Sequence, residues 1–361
     1  MHSVSPKQTI GDTAQLEPSA GDSRVRHRIL FALTTLDVEK FFPQGINVEG
    51  LQADIHYASD NELSGDNWSK LIRHFEPSII VTGWATPRLS NDIIENSWFK
   101  AEYICHLSGS VRSFLPVELI DRGVLVTNWG TLAAVSVAEH AVMLVLACAR
   151  NLTKWHPPAE SYIGGYSNRH TTIRTRTLRE KRVGIHGFGN IAKQIVHLLR
   201  PFGVKMSAYS HAVPSEEIEK NGLDSASDLK SLFADNDILI ECEALTEKTR
   251  GSVTEELLSS LPEDAIFVNV GRGALVDESA LIRLAAENRL RVATDVTTRE
   301  PLSPDDPLWN APTILRSPHI GGPTSDLYEH CGQFALANIR RFLNNERVRA
   351  IINREIYARS T

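Results

Sequence analysis

Short apolar runs alternate with stretches of helical spacing through most of the chain, the pattern of parallel strands covered by helices. In the first part, residues 29–33, 79–82, 103–107 and 124–127 read as buried strands, and 68–75 and 91–99 carry apolar side chains at helical intervals. Together they predict one α/β unit. A second begins at Lys181. Residues 183–185 form its first strand, and 190–200 a helix stopped by Pro201, with Ile191, Ile195, Leu198 and Leu199 on one face. Residues 204–209, 238–240, 265–270 and 291–294 supply further strands, and 326–344 one more amphipathic helix.

Between the two units, Ser136-Val137-Ala138-Glu139 reads as a capping box that opens a helix over 136–150. That helix is apolar nearly all round, so it must be buried between domains or against a second copy of the chain, and a homodimer built on it is expected. The polar stretch 151–180 that follows contains Pro157-Pro158 and Gly164-Gly165 and reads as a surface arm. Residues 1–23, rich in Ser, Pro, Gly, Asp and Gln without an apolar core, read as a flexible leader and not as a signal peptide.

Composition narrows the classes. A length of 361 residues allows two ordinary domains, and 42% hydrophobic against 23% charged residues is the balance of a water-soluble globular protein. A net charge of −6 argues against nucleic acid as a partner. No apolar run approaches the ~20 residues of a membrane span, so no membrane partner is expected. Cys105, Cys148, Cys242 and Cys331 lie far apart, which suits free thiols in a reducing, cytoplasmic compartment. No His/Cys cluster has metal-ligand spacing, so no metal is expected.

Chemistry enters with Gly187-Phe188-Gly189-Asn190-Ile191-Ala192, which follows a strand and opens a helix, the setting that a dinucleotide fingerprint requires. Gly187 permits the tight turn, Gly189 lets a diphosphate approach backbone amides, and Ala192 lets helix and strand pack closely. The next strand should end in an acid that binds the ribose hydroxyls of NAD, yet it ends Tyr209-Ser210-His211. Ser210 and His211 could both donate to a 2′-phosphate, a slight lean to NADP; a register slip, or an acid from a neighbouring loop, is the alternative. Downstream lie Asn269-Val270-Gly271-Arg272-Gly273, then Asp295-Val296 with Glu300-Pro301, then Pro318-His319-Ile320-Gly321-Gly322. An arginine, a carboxylate and an imidazole are what hydride transfer to a 2-keto acid needs: Arg272 to grip the substrate carboxylate, His319 to move a proton, Glu300 to tune the imidazole.

With these motifs in their order, the chain resembles the D-isomer-specific 2-hydroxyacid dehydrogenases over roughly residues 103–342; 137–140 and Leu245-Thr246 with Thr249 match as well. The resemblance implies two Rossmann/flavodoxin-like parallel-sheet domains, with a dinucleotide-binding domain (131–319) inserted within a substrate domain (24–130 and 320–361). It implies an NAD- or NADP-dependent interconversion of a small 2-keto acid and its D-2-hydroxy acid. Asp295 would meet the nicotinamide carboxamide, and Thr249 and Val270 would line the cofactor with Phe188, Asn190, Ile191, Leu245, Gly271 and Gly321. The substrate loop departs from the family pattern. Ser110, Val111 and Arg112 stand where a Gly-Val-Asp-like run holds the substrate carboxylate; an inward Arg112 would favour a substrate with a second anionic group, whereas an outward one is a surface charge. Ala244 replaces a usual proline, and His186 occupies a usually apolar position. A dinucleotide-sensing scaffold or corepressor on the same fold is the competing expectation.

Overall fold

Strands that must be buried on both faces cannot stand alone, and this chain gathers them into two wholly parallel sheets. The computed structural model describes residues 27–155 and 173–359. The first sheet joins β1 (His27–Ala32), β2 (Ala53–Tyr57), β3 (Ile79–Thr82), β4 (Tyr103–His106) and β5 (Leu125–Thr127) in the order β2-β1-β3-β4-β5. Helices α1 (Thr35–Phe41), α2 (Gly65–Phe75), α3 (Asn91–Ile94) and α4 (Glu118–Asp121) connect them. Side chains alternate across the sheet with period two. Leu30, Ile80, Ile104 and Val126 therefore enter the core under α2, while Ile29, Phe31, Val81 and Tyr103 enter the opposite one.

Cys331, Leu336 and Ile339 fill that opposite core from α11 (Ser325–Leu343), so the chain returns to its first sheet near its end. The return is closed by backbone: Ile352 N donates to Val126 O at 2.8 Å. The terminal helix α12 (Arg354–Arg359) follows, and Tyr357 Oη donates to Leu115 O at 2.8 Å.

The second sheet holds β6 (Arg182–His186), β7 (Lys205–Tyr209), β8 (Asp224–Ser225), β9 (Ile238–Glu241), β10 (Ala265–Asn269), β11 (Leu290–Thr294) and β12 (Ile314–Arg316). Its order is β12-β11-β10-β9-β6-β7-β8, which reverses direction between β6 and β9. That switch point opens a crevice at the carboxyl ends of the strands. The helices here are α6 (Asn190–Leu199), α7 (Ser215–Lys220), α8 (Leu229–Ala234), α9 (Glu255–Ser260) and α10 (Glu278–Ala286).

The linking helix α5 (Leu132–Ala149) differs from expectation at its start. Helical residues run back to Leu132, so Ser136 lies inside the helix, where its hydroxyl donates to Ala133 O at 3.0 Å. Glu139 is exposed, and there is no capping box. Small alanines at 133 and 134 continue the helix upstream and outweigh the local signal at Ser136. Against the expectation of no such run, α5 is long and apolar enough to cross a membrane; over half of it is buried in the fold. It packs on α6, β10 and β11, and Arg291 donates to the carbonyls of Cys148 and Ala149 at its end. Most of the expected arm, like the leader, lies outside the described residues. Cys105, Cys148 and Cys331 are buried free thiols, and Cys242 is partly buried.

Candidate active site

The glycine turn leaves β6 at the switch point. Gly187 has φ +91°, and a Cβ there would stand 2.5 Å from Glu243 Cα, so only glycine lets β6 turn beside the loop after β9. Gly189 caps α6 with extended backbone and no side-chain hydrogen bond, and the space beside it is open. The first amides of α6, at Asn190 and Ile191, are therefore left for an anion at the positive end of a helix dipole. The Phe188 and Ile191 side chains pack into the core with Ala192, so these residues offer a ligand their backbone. The arrangement fits a dinucleotide diphosphate.

Ser210 follows β7 where an acid was expected, and a carboxylate from another loop lies against it. Glu243, just past β9, accepts from Ser210 Oγ at 2.9 Å and from the His211 amide at 3.3 Å through Oε2. Its Oε1 accepts from the Ala244 amide at 2.9 Å. The Glu243 amide in turn donates to Glu241 Oε1 at 2.9 Å. Glu241 is fully buried, and its Oε2 accepts from Nδ1 of His186, itself 2% exposed, at 2.5 Å. This accounts for His186. Burial opposes its protonation, but the charge and hydrogen bond of Glu241 outweigh that and raise its pKa above the ordinary histidine value. Farther along, Thr249 Oγ1 donates to Ala244 O at 2.6 Å and closes the turn after Leu245, which packs into the core.

Three loops bring Arg272, Glu300 and His319 together. Asn269 ends β10; its Oδ1 accepts from the Gly271 amide at 3.0 Å and its Nδ2 donates to Arg272 O at 3.2 Å, fixing the bend that presents Arg272. Gly273 has no room for a Cβ, which would lie 2.0 Å from the Thr297 carbonyl carbon, so this bend presses on the loop carrying Glu300. Val270 is buried, and its amide donates to Glu241 O at 3.0 Å. Burial lowers the pKa of Arg272 against the opposing charge of Glu300, yet a guanidinium stays charged at neutral pH.

His319 has φ +53°, and its Nδ1 donates to Glu300 Oε2 at 2.6 Å. Glu300 Oε1 accepts from the Thr297 amide at 2.9 Å. Among the described residues, His319 Nε2 takes no partner. Asp295, expected at the carboxamide, has its oxygens engaged in holding this loop. Oδ1 accepts from Ser317 Oγ at 2.6 Å and the Ile320 amide at 3.0 Å, and Oδ2 from the Gly321 amide at 2.8 Å. Burial disfavours its charge, but hydrogen bonds from His140, Ser317 and the two amides hold the carboxyl well below the usual carboxylate range. His140 and Ser317 were missed in the sequence because neither type in isolation signals a role; Glu241 and Glu243 were missed because acids after a strand read as loop charge.

The substrate loop is braced from below. Buried His106 donates or accepts between Thr82 Oγ1 at 2.9 Å and Ser108 Oγ, and burial lowers its pKa to about 4. Gly109 backs onto the Trp129 indole, and Asn128 Nδ2 donates to Gly109 O at 2.6 Å. Val111 is fully buried, so of it only the backbone can face a ligand, and Ser110 beside it is partly buried. Arg112, for which an inward and an outward pose were both open, takes the outward one: its Nη1 donates to Ala358 O at 3.5 Å, and it lines a cleft with Tyr357, His211 and Glu243. No cluster of His, Cys, Asp and Glu suited to a metal occurs among the described residues.

The family model described as the NAD binding domain of D-isomer specific 2-hydroxyacid dehydrogenases matches residues 142–321. Glyoxylate/hydroxypyruvate reductase of Arabidopsis thaliana is 30% identical over 62% of this chain and 68% of its own length. The chain belongs to the D-isomer-specific 2-hydroxyacid dehydrogenase family. D-3-phosphoglycerate dehydrogenase of Methanocaldococcus jannaschii is 28% identical over 74% of this chain, and the match spans half of that longer relative. A solved protein from Pyrococcus horikoshii OT3 superposes with a TM-score of 0.67 at 26% identity, covering 92% of this chain and 96% of its own. As a 2-hydroxyacid dehydrogenase family member, the chain carries a nicotinamide-dinucleotide-binding domain in its second sheet.

Proposed function

We propose that the protein reduces a small 2-keto acid to its D-2-hydroxy acid, or runs the reverse, with NAD or NADP as hydride carrier. The observation that supports this best is the 2.6 Å donation from His319 to Glu300, with Arg272 close enough for Glu300 to act on its charge. With its diphosphate held at the glycine turn, the dinucleotide would supply or take the hydride at C2 of the substrate. Arg272 binds the substrate carboxylate and polarises the C2 carbonyl. His319 hands the proton on Nε2 to the carbonyl oxygen as the alcohol forms, and takes it back in the reverse direction. Glu300 holds the ring through Nδ1 and stabilises the imidazolium.

The test is a panel of glyoxylate, hydroxypyruvate, pyruvate and branched or aromatic keto acids, followed by NAD(P)H absorbance. His319→Ala should remove turnover and leave cofactor binding intact. Cofactor binding with no turnover across the panel would instead favour a dinucleotide-sensing scaffold.

We also propose a homodimer formed through α5, in the cytoplasm. Val135 and Met143 leave 42% and 45% of their surface exposed on this otherwise apolar helix. Light scattering that returns a monomer at micromolar concentration would exclude it.

A further inference from the structure

We infer that Glu243 is the acid that reads the adenosine ribose in this chain, and that it makes the dinucleotide site selective for NAD(H) over NADP(H). Resting on the dinucleotide reading above but not on any choice of substrate, the assignment begins with position. In a doubly wound sheet the ribose lies beyond the end of the second strand. Here that strand is β7, and Ser210 stands at its end. Glu243 Oε2 lies 2.9 Å from Ser210 Oγ, so a carboxylate fills the place of the missing strand-end acid, delivered from across the switch point. Gly187 packs directly on the Glu243 backbone, which ties the same carboxylate to the glycine turn.

The side chain is also fixed. Glu243 is 7% exposed, both of its oxygens accept hydrogen bonds, and its amide is anchored on the buried Glu241–His186 pair. A carboxylate held in this way accepts from the two ribose hydroxyls and repels a 2′-phosphate. The donors that a 2′-phosphate would need, the Ser210 hydroxyl and the His211 amide, already face Glu243. Cations on the far wall of the cleft, which has a volume of about 560 Å³, are engaged elsewhere. Arg354 lies 3.0 Å from Asp121, Arg359 3.0 Å from Glu355, and Arg112 donates to Ala358 O. Lys248 lines the near wall beside Glu247.

Titration of the full chain with NADH and with NADPH, followed by nicotinamide fluorescence and without keto acid, tests this. NADH should bind at least about tenfold tighter. Glu243→Gln should bring the two dissociation constants within roughly threefold, mainly by tightening NADPH, while Ser210→Ala, which keeps the carboxylate, retains the preference. Equal or tighter NADPH binding by the unchanged chain would overturn the assignment. So would a tenfold preference that survives in Glu243→Gln or disappears in Ser210→Ala. Binding with the expected preference but no turnover would count against the proposed reaction and leave Glu243 in place.

Discussion

His140 on α5 and Asp295 after β11 lie 3.3 Å apart, Nε2 to Oδ1, and both contact the Ser317 hydroxyl. The linking helix is thereby tied to the loop that presents His319, because the same aspartate takes the amides of Ile320 and Gly321. Asp295→Asn would set an amide NH2 against at least one of these donors. The expected cost is about 1–3 kcal/mol in chemical denaturation, with turnover falling more than cofactor affinity. The Asp295 pKa is lowered on folding, so its stabilisation is present above the ordinary carboxylate value. It is lost as pH falls below about 4, and the variant should show less of this acid sensitivity.

The proposed acid/base pair is solvent-accessible, with side chains of His319 and Glu300 45% and 37% exposed. His319→Ala should therefore leave folding stability nearly unchanged, within about 0.5 kcal/mol, while turnover drops by roughly 10²–10⁴-fold. Glu300→Gln should retain cofactor binding and lose a smaller share of kcat. A large loss of stability in either variant would show that the pair is structural.

Burial sets a second pH dependence. His106 titrates at about 4 when folded, against roughly 6.5 when unfolded. Its folded pKa is depressed, so the unfolded chain binds the proton first, and stability should decline as pH falls from 6.5 towards 4. Melts at pH 7 and pH 5 should differ in that direction, and the difference should shrink in His106→Gln, whose amide still reaches between Thr82 and Ser108.

At the switch point the ion pair is closed to water. His186→Leu would leave Glu241 buried without its partner, and about 3–5 kcal/mol of stability should be lost by urea denaturation. The double change His186→Leu/Glu241→Leu should recover much of it, because a buried pair replaced by apolar groups of similar volume is often near neutral. Because the folded His186 pKa is raised, its stabilisation holds below about 6.5 and weakens as pH rises through the folded value.

Strands buried on both faces were legible because the centre of a parallel sheet favours near-continuous apolar runs; β3, β9 and β10 carry such runs, with Glu241 and Asn269 only at the carboxyl ends of β9 and β10. β2 was not, because an edge strand tolerates Asp54 and His56, and β8 has two residues. The start of α5 was misplaced because a capping signature is local, whereas four upstream residues in helical geometry are decided by packing. In the site, Arg272, Glu300 and His319 could be found from their unusual settings between glycines and prolines. Glu243 could not. Its meaning depends on the register of β6, β7 and β9, which places side chains from three loops at one point.

Asp295 is 4% exposed and the His319 side chain nearly half exposed, so the frame of the site and its proposed proton carrier are held by different physical constraints. Drift that erased His319 would meet no resistance from folding, while drift at Asp295 or His140 would. On the proposed reaction, a descendant of this chain would shed its chemistry in one step and keep its fold and its dinucleotide-binding domain, available for another use.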